Sequence, residues 1–171
     1  MKKIIIGIIC LIIVIGIIFV VTTKRSPEKT LELYVNAFNE GNISEIVDLV
    51  DFNRGLAFEN MIMTNSNEQG AFRRELRELK QNNSSEELER QQEEYAEIIT
   101  LGINESRNIT GVMTVSNVRT QQDENNRGIV IVSYTVEFEN IDGSFDVELA
   151  MFRSGLRTYI ITLFQEIEIS L

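Results

Sequence analysis

An unbroken apolar segment lies near the start of the chain. Residues 4–21 (IIIGIICLIIVIGIIFVV) contain no charged side chain. As a helix they would span roughly 27 Å, at about 1.5 Å per residue, which is close to the hydrocarbon thickness of a bilayer. The segment exceeds the usual apolar core of a signal peptide, and no small-x-small cleavage pattern follows it. Residues 1–21 are therefore predicted to be an uncleaved transmembrane anchor with the hydrophobic span 4–21, and a cleaved signal peptide is the alternative.

Along the next part of the chain, apolar residues recur every three or four positions, which predicts amphipathic helices. Residues 22–28 form a polar tether that contains the only proline, Pro27, a residue typical of helix starts. Residues 52–67 are apolar without a clear period, so strand and helix both stay open there. The predicted helices are 29–40, 44–51, 68–80 and a fourth that begins at Ser84. The predicted buried positions of the fourth helix are Leu88, Tyr95, Ile98, Ile99 and Leu101.

After Gly102 the period of the pattern changes to two, which is typical of half-buried strands. Apolar and polar residues alternate along residues 129–139 and again along 145–151, and Asp142-Gly143 between them is a hairpin signal. Two more strands are predicted at 112–120 and 159–169. Helices followed by an antiparallel meander of about four strands predict an α+β domain over residues 29–171, with its helices packed on one face of the sheet.

Charge and composition restrict the classes of function. The chain has 16 Lys and Arg against 26 Asp and Glu. Lys2 and Lys3 precede the apolar segment, so the remainder carries a net charge of −12, which disfavours nucleic acid as a partner. The chain has no histidine and a single cysteine, Cys10, inside the apolar segment. Histidine-based metal sites and Ser-His-Asp or Cys-His nucleophiles are therefore excluded, and no metal or cofactor is predicted.

The orientation of the anchor follows from the charges beside it. Lys2 and Lys3 on one side nearly balance Lys24 and Arg25 on the other. An acidic domain without paired cysteines suits the outer face of a bacterial membrane. The prediction is a single-pass protein of the cell membrane, with the N-terminus inside and the C-terminal domain outside.

Residues 34–49 (YVNAFNEGNISEIVDL) consist of an aromatic-led helix, a Gly-Asn break and a second helix that ends in apolar residues. This pattern resembles the opening of the nuclear transport factor 2-like superfamily, which includes ketosteroid isomerases and SnoaL-like cyclases. The resemblance implies that the helices pack on a curved antiparallel sheet and enclose a cone-like pocket. It also implies self-association, or docking on an envelope protein complex, through the exposed face of the sheet.

The resemblance to ketosteroid isomerases implies a tyrosine on the first helix as oxyanion donor and an aspartate about two dozen residues later as base. Tyr34 matches the tyrosine. The base position falls on Phe58, with Glu59 beside it, so the base is not matched. Asp51 and Glu59 are the remaining candidates for the base, and a solvated loop or helix-end role is the alternative for both.

Aromatic side chains on the predicted apolar faces form a candidate ligand pocket. Its residues are Tyr34, Phe38, Phe58, Tyr134 and Tyr159. The strand acids Glu137, Asp146 and Glu148 are predicted on the opposite face, so no carboxylate points into the pocket to act as a general base. The sequence thus favours a membrane-anchored, non-enzymatic binding or assembly module. An isomerase- or cyclase-like enzyme with Tyr34 as oxyanion donor is the alternative. The predicted partners are the membrane, through residues 4–21, and a second copy or an envelope complex.

Overall fold

The structure is a computed structural model that describes residues 25–64 and 68–161. The predicted anchor at residues 1–21 and the predicted strand residues beyond Ile161 lie outside these ranges. Within them, no helix is both long enough and apolar enough to cross a membrane.

In the described ranges, five helices precede four strands. The helices are α1 (Pro27–Glu40), α2 (Ile43–Leu49), α3 (Phe52–Met63), α4 (Ala71–Asn82) and α5 (Ser85–Thr110). The strands are β1 (Met113–Gln122), β2 (Ile129–Phe138), β3 (Ile141–Ser154) and β4 (Arg157–Ile160). The strands form one antiparallel sheet in the order β1-β2-β3-β4, and the helices pack against it. The predicted α+β class, with helices before a four-stranded antiparallel sheet, is confirmed.

Local capping signals explain where most of the helices begin and end. The Ser26 side chain accepts a hydrogen bond from the first turn of α1, and Gly41 ends that helix with φ +73°. Ser84 caps α5 in the same way as Ser26 caps α1. The segment whose weak period is compatible with both strand and helix forms helix α3. Asp51 Oδ1 accepts a hydrogen bond from Arg54 N at 3.1 Å and so caps the start of this helix.

The turn between β2 and β3 differs from the prediction. Two residues, Glu139 and Asn140, connect the strands, whereas Asp142 and Gly143 lie inside β3. Gly143 has φ +105°, and the strand register shifts beside it, between the pairs of Glu137 and Phe138. The Asp-Gly signal therefore marks an irregularity of the strand next to the turn, because glycine adopts this backbone conformation without strain.

The first hydrophobic core lies between one face of the sheet and helices α1, α2 and α5. Cross-strand pairs such as Val132 with Leu149 and Tyr134 with Val147 place their side chains on this face. The helices contribute Leu31, Ala37, Phe38, Ile46, Leu49, Ile99 and Ile103, and the strands contribute Met113, Val130, Val132, Tyr134, Val136, Leu149, Met151 and Ile160.

A second hydrophobic core lies on the opposite face of the sheet, so the prediction that all helices pack on one face is wrong. Ile129 pairs with Phe152, and Ile131 pairs with Ala150, one residue out of step with the first core. Helices α3 and α4 cover this patch with Ala57, Phe58, Met61, Ala71 and Phe72. The same face carries the polar residues Ser133, Thr135 and Glu137 farther along β2. By themselves these residues predict a solvent-exposed face for the whole strand.

Asn39 joins the end of α1 to the first residue of β1. Its Nδ2 donates to Met113 O at 2.9 Å, and its Oδ1 accepts from Met113 N at 2.8 Å. Arg107 of α5 donates to the Asn39 carbonyl at 2.8 Å. These bonds hold α1 and the end of α5 against the same end of the sheet.

Candidate functional site

Two tyrosines of the first core form the centre of the candidate site. Tyr34 of α1 lies next to Phe38, with ring centroids 6.4 Å apart, and Tyr134 stands on the face of β2 that α1 covers. Burial raises the pKa of Tyr34 to about 12. Burial also raises the pKa of Tyr134, and the neighbouring Tyr34 adds to that increase. We call Tyr34 and Tyr134 the tyrosine pair.

The hydroxyls of the tyrosine pair make no hydrogen bond to any residue in the described ranges. Tyr34 is half-buried, and neither hydroxyl is one of the fully enclosed polar atoms that lack a hydrogen-bond partner. Partly buried apolar side chains pack against the first core that holds the pair, and these include Val115, Phe138, Phe145 and Val147. Chemically, this arrangement offers two hydroxyl donors to a molecule that is mostly apolar and carries a hydrogen-bond acceptor.

The two candidate bases lie elsewhere and have other roles. The carboxylate of Asp51 caps α3 and forms an ion pair with Arg54. Glu59 is exposed on α3. Burial and then the charge of Glu59 raise the pKa of Tyr95, whereas burial alone accounts for the raised pKa of Tyr34. The structure therefore brings neither Asp51 nor Glu59 to Tyr34.

The structure brings together only part of the predicted ligand pocket. Tyr34, Phe38 and Tyr134 share the first core. Phe58 belongs to the second core, and Tyr159 pairs with Phe152, which places it on the face of the second core. In β4, the side chains that point toward the first core are those of Thr158 and Ile160, and both are buried. The alternation predicted β4 one residue out of step, and a shift of one residue moves every side chain to the other face.

The strand acids face away from the tyrosine pair, as the alternation predicts. Glu148 accepts a hydrogen bond from Ser133 Oγ at 3.0 Å, and Asp146 accepts one from Thr135 Oγ1 at 2.8 Å. Glu137 is exposed on the same face. The part of the second face that no helix covers therefore carries polar and acidic side chains. In the described ranges, no group of three or more acidic or cysteine side chains is arranged to hold a metal ion.

A surface that the sequence pattern does not indicate runs along α5. Ile98 and Leu101, predicted to be buried, are 59% and 71% exposed, and Ile109 is 61% exposed. Ile99 and Ile103, on the other side of the helix, are buried. We call Ile98, Leu101 and Ile109 the α5 ridge. Leu101 also borders a shallow groove of about 380 Å³ that Ala96, Glu97 and Thr100 complete. The missed signal is that isoleucine occurs on both sides of this helix.

Comparisons with known proteins add no relative to this description. No protein-family model, no curated protein and no solved structure matches the chain. The resemblance of residues 34–49 to the nuclear transport factor 2-like superfamily therefore stays a prediction.

Proposed function

We propose that the chain is a bacterial membrane-anchored, extracytoplasmic binding or assembly module that is not an enzyme. Residues 4–21 anchor it in the cell membrane, with the N-terminus inside and the domain outside. The domain is of the nuclear transport factor 2-like type. The helix pair α1 and α2, with left-handed Gly41 between them, supports this family, as does the order of helices before an antiparallel sheet.

The curved, cone-like sheet of this family is part of the proposal. An irregularity in β1 between Ser116 and Arg119 supports it, because bulges bend a strand and increase its twist. Asn117 lies in this irregularity with φ +53°, and its side chain donates to Thr135 Oγ1 at 3.3 Å. The side chains between the bent strands and α1 would then line the cone around the tyrosine pair.

The α5 ridge is the observation that carries the binding and assembly function. Its three side chains lie at positions i, i+3 and i+11, which fall on one side of a helix. Ile98 and Leu101 lie one turn apart, and exposed Glu105 separates them from Ile109 on the same side. Neighbouring exposed apolar side chains on one side of a helix occur in protein interaction sites. Its partner is a second copy of the chain or an envelope protein that presents an apolar surface.

Native mass spectrometry of the full-length protein, extracted from its membrane in mild detergent, tests this function. We expect the wild-type chain to carry a second copy or a bound envelope protein. Leu101→Glu should weaken that association about ten-fold or more, because it places a charge in the centre of the interface. Val118→Glu makes the same change at an apolar residue of β1 that is 40% exposed, and it should leave the assembly intact. A wild-type protein that is a single chain without a bound protein contradicts the proposal.

The enzymatic alternative depends on the tyrosine pair. Two hydroxyl donors side by side could stabilise the oxyanion of a small apolar carbonyl compound, but Asp51 and Glu59 supply no base there. An isomerase-like activity on a panel of small apolar enones would favour this alternative only if Tyr34→Phe lowered it by a factor of about 100 or more. Turnover that persists in this variant excludes Tyr34 as the oxyanion donor.

A further inference from the structure

The end of the sheet next to the predicted anchor differs from the rest of this acidic chain. The tip between β3 and β4, residues 154–157, carries an exposed Leu156 and an exposed Arg157, and exposed Arg153 precedes it. Arg25 lies beside this tip: its N donates to Leu156 O at 2.8 Å, and its carbonyl accepts from Thr158 Oγ1 at 2.8 Å. Three arginines and an exposed leucine therefore lie at the end of the sheet where the chain enters the domain.

The arginines of this tip are available to an external anion. Arg25, Arg153 and Arg157 form no ion pair with any residue in the described part of the chain. Glu28, in the first turn of α1, lies near Arg153. Hydrogen bonds to the backbone and to Ser26 lower the pKa of Glu28, and Arg153 makes a smaller contribution. The tip is therefore locally basic in a chain whose net charge is −10.

The length of chain between the anchor and the tip limits how far the tip can lie from a bilayer. The hydrophobic span ends at residue 21, and Arg25 is already hydrogen-bonded to the tip. Four residue steps reach roughly 14 Å at most when fully extended. The headgroup region on each side of a bilayer is about 5–7 Å deep. Arg25, and the tip that is bonded to it, therefore lie at most about 7–9 Å beyond the headgroup region.

We propose that the β3–β4 tip docks on anionic lipid headgroups of the membrane in which the chain is anchored, with Leu156 inserted among them and Arg25, Arg153 and Arg157 bound to their phosphates. Apolar insertion and basic side chains near a lipid surface act together in this kind of binding. Docking fixes the orientation of the domain, because the sheet then rises from the membrane at this end. The inference rests on the proposed anchor at residues 4–21.

Tryptophan fluorescence of the full-length protein reconstituted into vesicles tests this docking. The chain contains no tryptophan, so Leu156→Trp introduces the only one. Val112→Trp is the matched control, because Val112 is 49% exposed and precedes β1 at the opposite end of the sheet. β3 alone, with 14 residues, separates the two ends by roughly 43 Å. The vesicles contain phosphatidylcholine with phosphatidylglycerol, or phosphatidylcholine alone, and acyl-brominated lipid serves as the quencher.

In the anionic vesicles, we expect Leu156→Trp to emit at a shorter wavelength than Val112→Trp. We also expect the brominated lipid to quench Leu156→Trp several-fold more strongly than Val112→Trp. Adding Arg153→Gln and Arg157→Gln should reduce the docking equilibrium constant roughly five-fold for each arginine, and high salt should act in the same direction. If the protein floats with the vesicles but the two tryptophan variants show equal emission and quenching, the docking proposal alone is overturned. Protein that does not float with the vesicles overturns the anchor and the docking with it.

Discussion

Replacing Phe72 by alanine is expected to lower the free energy of unfolding by about 3–5 kcal/mol. Phe72 is 1% exposed, and its ring lies 5.4 Å from that of Phe152 on the second face of the sheet. Its backbone N donates to the buried side chain of Asn126 at 3.2 Å. Truncation leaves a cavity in a cluster that has only a few large members. Urea unfolding of the full-length protein in mild detergent, followed by circular dichroism, measures this loss.

Met63→Ala is the control for this measurement, because Met63 is 81% exposed at the end of α3. A surface substitution of this kind changes the free energy of unfolding by about 0.5 kcal/mol or less. A loss at Phe72 as small as the loss at Met63 would mean that α3 and α4 do not pack on the second face.

Raising the pH from about 10 to about 12 is expected to destabilise the domain through the tyrosine pair. In the folded protein the pKa of Tyr34 lies at about 12, against an ordinary value of 10.0. The folded state therefore keeps its proton at a pH where the unfolded chain has lost it. This contribution to stability is complete below pH 10 and disappears as the pH rises through 12. For Tyr34 it amounts to up to about 3 kcal/mol, and Tyr134, whose pKa is also raised, adds to it.

Unfolding measured as a function of pH, for the wild type and for the double variant Tyr34→Phe with Tyr134→Phe, isolates this effect. The variant lacks both hydroxyls, so its stability should fall less steeply between pH 10 and 12, while other titrating groups act equally on both proteins. The same slope in both proteins would show that water surrounds these hydroxyls, and the tyrosine pair would then not be a buried donor site.

The candidate site was only partly predictable from the sequence. Tyr34 and Phe38 are four residues apart on one helix, so their shared face follows from the helical period. Tyr134 follows from the alternation along β2. Phe58 and Tyr159 could not be assigned, because the residues around Phe58 have no clear period and β4 is short, with apolar or aromatic residues at neighbouring positions. Nothing local distinguishes Tyr159 from Ile160 as the residue that faces the first core.

The local features of the fold, namely the helix starts at Ser26 and Ser84, the left-handed stop at Gly41 and the alternating strands, were determined by the sequence itself. They depend on contacts within a few residues, so the sequence contains all the information that sets them. Only the tertiary structure decided which side of α5 is buried and that a second face of the sheet is covered. Both depend on apolar surfaces that occur on two sides of one element, and packing against distant residues selects between them.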